Sequence, residues 1–161
     1  MTDVQDNAAA PGQAPQISIL AQFVKDLSFE NPGVAAQLPQ SKPQIQVQMD
    51  VQVRPLGAEQ FEVALRAMIE AKAGEARAYV VELVYAGVFL LKNLPAEAQQ
   101  PFLLIECPRI LFPFARRIIA DVTRDGGYQP LMLDPIDFAS LYRAQLERQR
   151  AAQASGTAGT A

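Results

Sequence analysis

Three carboxylates, Asp26, Glu30 and Glu82, stand in or beside segments that are otherwise rich in apolar residues. Carboxylates do general acid–base work alongside a second catalytic group, and the commonest such group, His, is absent from the chain. The single Cys, Cys107, lies in an apolar run with no imidazole to activate it, so it reads as a buried structural thiol rather than a nucleophile. One Cys and no His also exclude an intramolecular disulfide, CxxC redox chemistry, His-containing zinc sites and His-based triads. No P-loop, GxGxxG, GxSxG or HExxH spacing occurs. Gly126-Gly127, the only glycine pair, fits a helix-ending turn better than a phosphate cradle. No catalytic residue, metal site or cofactor is expected. Taken on their own, Asp26, Glu30 and Glu82 are ordinary solvent-facing charges.

The charge balance narrows the partners. With 17 acidic and 14 basic side chains the formal charge is -3, the wrong sign for a dedicated nucleic-acid binder. Arg109, Arg116, Arg117 and Arg124 cluster on one helix face without interleaved aromatics, which suits solvation or ion pairing rather than base stacking. Residues 1–15 have neither a basic nor an apolar region, so no signal peptide is expected. The most apolar stretches, Val80 to Leu91 and Phe102 to Ile119, are broken by Glu82, Glu106, Arg109, Arg116 and Arg117, and neither suits a membrane span. A cytoplasmic protein with a reduced thiol is the expectation.

The elements that position these residues follow from periodicity. The length of 161 residues, with 50% hydrophobic and 19% charged side chains, suits one globular domain. Residues 1–15 and 151–161 offer no large apolar surface to offset ordering, so both are expected as disordered tails around a body at 16–150. Ile45, Val47, Met49, Val51 and Val53 alternate with Gln and Asp, the pattern of a half-buried strand. Gln60 to Glu70 alternates likewise, and Arg77 to Leu90 is apolar on both faces. Short turns between these runs favour antiparallel pairing, and Ile17 to Phe29 could supply a fourth strand.

The period then becomes helical. Ile110, Leu111, Phe114, Ala115, Ile118, Ile119 and Val122 form a wide apolar stripe, with Pro113 in the first turn or at a kink. A shorter helix over Ala96 to Cys107 is bounded by Pro95 and Pro108. A last helix carries Phe138, Leu141, Tyr142 and Leu146, with Asp134 as N-cap, Pro135 at N1 and Asp137 complementing the dipole. The fold class is α+β: a four-stranded antiparallel sheet followed by two principal helices. Helices cover one sheet face, so the doubly apolar run Val80 to Leu91 needs a further cover, either self-association or a client surface.

Lys25-Asp26-Leu27-Ser28-Phe29-Glu30 is similar to a segment of the SecB family of bacterial protein-export chaperones. Cys107-Pro108-Arg109-Ile110-Leu111-Phe112-Pro113-Phe114-Ala115-Arg116 resembles that family's C-P-x-I-L-F-P-[YF]-A-R signature. The likeness continues through Gln129 to Leu133 and Pro135 to Phe138, and order and spacing agree from Ile17 to Gln149. Two positions depart from it. Ala86-Gly87-Val88-Phe89 stands where the family commonly has Gly-Gly, and Val81 stands where a Cys is often found; both bear on strand packing near a subunit interface.

The resemblance implies an ATP-independent holdase that binds unfolded precursor proteins, keeps them translocation-competent and passes them to the SecA motor. It further implies a homotetramer, a dimer of dimers with helices between sheets, and no direct membrane insertion. The family's SecA contact maps onto Asp26, Glu30, Val80 and Glu82. Expected client contacts are Val34 and Leu38 in the Pro-rich loop, and Phe138, Leu141 and Tyr142 on the last helix. The competing class is an assembly protein that oligomerises through its apolar strand and binds nothing unfolded.

Overall fold

Alternation of apolar and polar residues is written into four long strands: β1 (Gln16–Glu30), β2 (Gln44–Pro55), β3 (Gln60–Ala73) and β4 (Ala76–Lys92). The computed structural model describes residues 12–32 and 42–157. All pairings are antiparallel and the strand order is β1-β4-β3-β2. β2, β3 and β4 form the expected meander. β1 adds on the far side of β4, so the chain between Glu30 and Gln44 joins opposite edges of the sheet. This order places β4, the strand apolar on both faces, in the interior. The β3–β4 turn is closed by Gly74 at φ 64°, a left-handed position that favours glycine.

Side chains alternate between two faces, and the odd-numbered residues of β3 and β4 take the helix side. Val63, Leu65, Ile69, Val81, Leu83 and Phe89 there are fully buried, and they form one core with Leu111, Ala115 and Ile119. Those three helical residues recur at i, i+4 and i+8, the stripe expected of an amphipathic helix. The α+β architecture follows directly: a four-stranded antiparallel sheet, then two principal helices.

The helical part starts earlier and runs more continuously than the proline positions suggest. α1 (Ala96–Pro101), a π-helical turn (Phe102–Glu106) and α2 (Cys107–Asp125) follow one another without a break. Pro108 was expected to end the shorter helix. Instead the Cys107 N–H reaches back five residues to the Phe102 carbonyl, a widened turn just ahead of a residue that has no N–H and a bulky ring. Pro113 lies inside α2 rather than in its first turn, and its ring is exposed.

An irregular segment, 128–137, leads to α3 (Phe138–Thr157). Asp134 does not cap this helix. Asp137 does: its carboxylate accepts from the Ser140 N–H at 3.1 Å and the Ser140 hydroxyl at 2.7 Å. Leu133, 5% exposed, packs into the core just ahead of Asp134, and the helix starts three residues after the Asp-Pro pair. α3 extends through Thr157, past residue 150, and residues 151–156 are exposed. Among the described residues no helix is long and apolar enough to cross a membrane.

Candidate functional site

The acidic residues meet on the sheet face that points away from α2. β1 and β4 pair Asp26 with Val84, Ser28 with Glu82 and Glu30 with Val80. Cross-strand partners share a face, and residues two apart on β4 share it too. Asp26, Glu30, Val80 and Glu82 therefore form one patch. A β-bulge is what puts Asp26 there. Val24 pairs with Tyr85 on the helix side, and strict alternation would return Asp26 to that side. The register shifts between Val24 and Asp26, Lys25 becomes the extra residue, and the face of everything after it changes. Asp26 and Glu30 are exposed, Val80 and Glu82 half-buried. No ion pair involves any of the three carboxylates among the described residues.

Next to this patch lies a buried carboxylate that the sequence reading passed over. Glu62 on β3 is 7% exposed and pairs with Arg54 on β2 and Val88 on β4, on the same face. Lys25 Nζ donates to one of its oxygens, and Arg54 donates to the other at 3.0 Å. The Lys25 hydrogen bond, assisted by Arg54 and opposed by burial, holds the Glu62 carboxyl below its ordinary value. Lys25, Arg54, Glu62, Asp26, Glu82 and Arg66 together line a shallow depression of about 630 Å³. Arg66 is exposed, and no ion pair involves it among the described residues. The available signal for Glu62 and Arg66 was parity. Each is a charge opposite the apolar stripe of β3, and only the strand register shows that Arg66 lies diagonal to Glu82 and that Glu62 lines the far end of the same depression.

The expected client residues separate into three situations. Val34 and Leu38 lie outside the described residues. Phe138 is 1% exposed and meets Phe112 edge-on, with ring centroids 6.0 Å apart, so it belongs to the core. Leu141 is 36% exposed, and with Tyr142 it lines a groove of about 380 Å³ between α3, β2 and the π-helical turn. Met49 and Val51 from β2 and Leu104 supply its other apolar walls. Leu104 could not be placed from the sequence, because it depends on the π-helical turn. Cys107 is fully buried, and burial, with Glu106 nearby, pushes its thiol up to about 12, an inert thiol. Val81 and Ala86, the two departures from the family pattern, are fully buried within the chain's own sheet.

Comparison with known proteins adds a second line of support. Residues 10–149 match the family profile described as SecB, preprotein translocase subunit SecB. The chain is similar to the protein-export protein SecB of Maricaulis maris strain MCS10, with 56% identity over 154 residues, 94% of this chain and 88% of that one. It is equally similar, 56% over 136 residues, to its counterpart in Zymomonas mobilis, covering 84% of this chain and 83% of that one. Among solved structures, a Mycobacterium tuberculosis SecB-like chaperone in complex with a ChAD peptide from the HigA1 antitoxin superposes with a TM-score of 0.64. That match covers 74% of this chain and 90% of that one at 14% identity, a likeness of fold.

Proposed function

The chain belongs to the SecB family of protein-export chaperones, and we propose that it acts as an ATP-independent holdase. In this reading it binds unfolded secretory precursors in the cytoplasm, keeps them translocation-competent and delivers them to SecA. No bond is made or broken in the cycle, and no cofactor takes part.

The observation that carries this reading is the separation of two surfaces of different chemistry. The carboxylates of Asp26, Glu30 and Glu82, with Val80 between them, form a charged face suited to a basic partner such as a SecA segment. Leu141 and Tyr142 line a groove on the other side of the sheet whose apolar walls are bordered by Asp50, Gln145, Arg148 and Gln149. Unfolded chains carry apolar side chains whose burial yields roughly 25 cal/mol per Å², so a groove of this kind selects them without reading sequence. Val34 and Leu38 are proposed as further client contacts, and Phe138 anchors the helix that presents Leu141 and Tyr142.

Self-association completes the reading. β1 is an edge strand, and Ile17, Ile19, Val24 and Leu27 stand at least 41% exposed on its helix side, with Leu20 at 50%. An exposed apolar edge of this length invites pairing with another copy. A homotetramer, a dimer of dimers, is proposed as the working form. Light scattering on the purified protein, with and without an unfolded precursor, tests both claims. A tetramer mass, a discrete client complex and suppressed aggregation of the precursor are expected. A stable monomer at micromolar concentration overturns the tetramer, and a tetramer that leaves aggregation unchanged leaves only the assembly role.

A further inference from the structure

The depression on the acidic face is lined by six charged side chains, three of each sign: Lys25, Arg54 and Arg66 against Asp26, Glu62 and Glu82. A basic partner would gain little from a lining that cancels itself. Two of the cations, however, are already engaged. Lys25 and Arg54 approach Glu62 from β1 and β2, on opposite sides of it, and take one carboxylate oxygen each. Asp26, the chain neighbour of Lys25, and Glu82 make no ion pair among the described residues.

We propose that Glu62 is a positioning residue for the acidic patch: by holding the Lys25 ammonium it keeps that cation off Asp26 and Glu82, leaving those carboxylates open to a basic partner. The inference rests on the reading that this face meets such a partner. The geometry supports it in two ways. Lys25 is the bulge residue that turns Asp26 onto this face, so the contact that occupies the ammonium also fixes the bulge. Glu62 is 7% exposed and its two oxygens are already taken, so it is poorly placed to meet a partner itself. Without its charge the lining becomes net cationic, and Lys25 is released beside the two carboxylates while Arg54 remains at the far end of the depression.

The test compares wild type, Glu62→Gln and the double variant Glu62→Gln/Lys25→Gln, all confirmed as folded and of unchanged mass. Purified SecA and a lysine hexapeptide are titrated in parallel at low salt. Glu62→Gln is expected to lose about tenfold in affinity for both, and the double variant to recover most of that loss. Wild-type affinity in Glu62→Gln, or a double variant no better than the single, overturns the proposal, since a merely structural Glu62 gains nothing from losing Lys25 as well. If the peptide binds and SecA does not, the SecA reading fails while the peptide series still decides the role of Glu62. If wild type binds neither, both fall. Carboxyl carbon chemical shifts of wild type during peptide titration give a measurement independent of variant folding. Asp26 and Glu82 are expected to move and Glu62 to stay, and movement of Glu62 with them overturns the assignment.

Discussion

Glu30 on β1 and Val80 on β4 are cross-strand partners on the sheet face that points away from α2. Their pairing, with Ser28 opposite Glu82 and Asp26 opposite Val84, makes the acidic patch a product of register rather than of loop conformation. A patch carried on two paired strands of a four-stranded sheet is rigid, which keeps its carboxylates organised before a partner arrives. Reversing one charge should then weaken partner binding without disturbing the fold. Glu82 is half-buried and makes no ion pair among the described residues, so Glu82→Lys removes no internal partner. SecA affinity should fall by about tenfold, and the wild-type interaction should weaken as salt rises. Grip on unfolded clients should persist, because it depends on apolar burial elsewhere. Equal loss of both activities would make Glu82 structural, and unchanged SecA affinity would sink the patch.

The far end of β1 is tied down by the end of α2. Asn31 Nδ2 donates to the Gly126 carbonyl at 2.8 Å, and the Phe29 ring lies against Gly126 itself. A Cβ on Gly126 would fall 2.5 Å from that ring, although its φ of -75° suits any residue. Gly126→Ala is therefore a steric change and not a backbone one. Thermal or urea unfolding should show a loss of about 1–3 kcal/mol. Phe29→Leu in the same chain should recover part of it, and a single variant as stable as wild type would show that the ring moves aside freely.

How much of this was legible differs by element. The strands β2, β3 and β4 were written in a period of two, and the stripe through Leu111, Ala115 and Ile119 in a period near 3.6, because each buries one face against the same core. The place of β1 beside β4 was not written locally, since strand order depends on non-local pairing. The bulge at Lys25 was hidden for a related reason. It changes which face Asp26 occupies, and only the partner's register reveals the extra residue. The cap of α3 was not legible because Asp134-Pro135 and Asp137 both carry helix-start chemistry, and only the structure shows Asp137 holding Ser140. The acidic residues were visible as charges, and the role proposed for them came from resemblance to the family. Glu62 carried no motif at all.

Thr123 holds the segment after α2 to the helix. Its side chain is fully buried, its hydroxyl donates to the Ile119 carbonyl at 2.9 Å, and the same oxygen accepts the Leu131 N–H at 2.9 Å. Thr123→Val keeps the shape and removes the acceptor, leaving a backbone N–H without its partner. A loss of about 1–3 kcal/mol is expected from urea unfolding. Thr123→Ser keeps the oxygen and should lose less than Thr123→Val. The reverse order would mean that the methyl group, and not the hydrogen bond, is what matters there.

The ion cluster around Glu62 should also make stability depend on pH in a defined direction. The Glu62 carboxyl is held below its ordinary value of 4.5, first by the Lys25 hydrogen bond, with burial opposing and Arg54 assisting. A group whose pKa is lower in the folded chain binds fewer protons there than in the unfolded chain. Its contribution is thus complete above pH 4.5 and declines as pH falls through the folded value. Glu62→Gln cannot titrate, so subtracting its stability from that of wild type isolates this one group. Asp137, lowered chiefly by the Ser140 hydroxyl, titrates in both proteins and cancels. Urea midpoints taken from pH 7 down to pH 3 should show the difference constant at first and then shrinking below about pH 4.5. A difference that stays flat across the range, or grows as acid is added, would mean that Lys25 and Arg54 do not stabilise the charged form of Glu62.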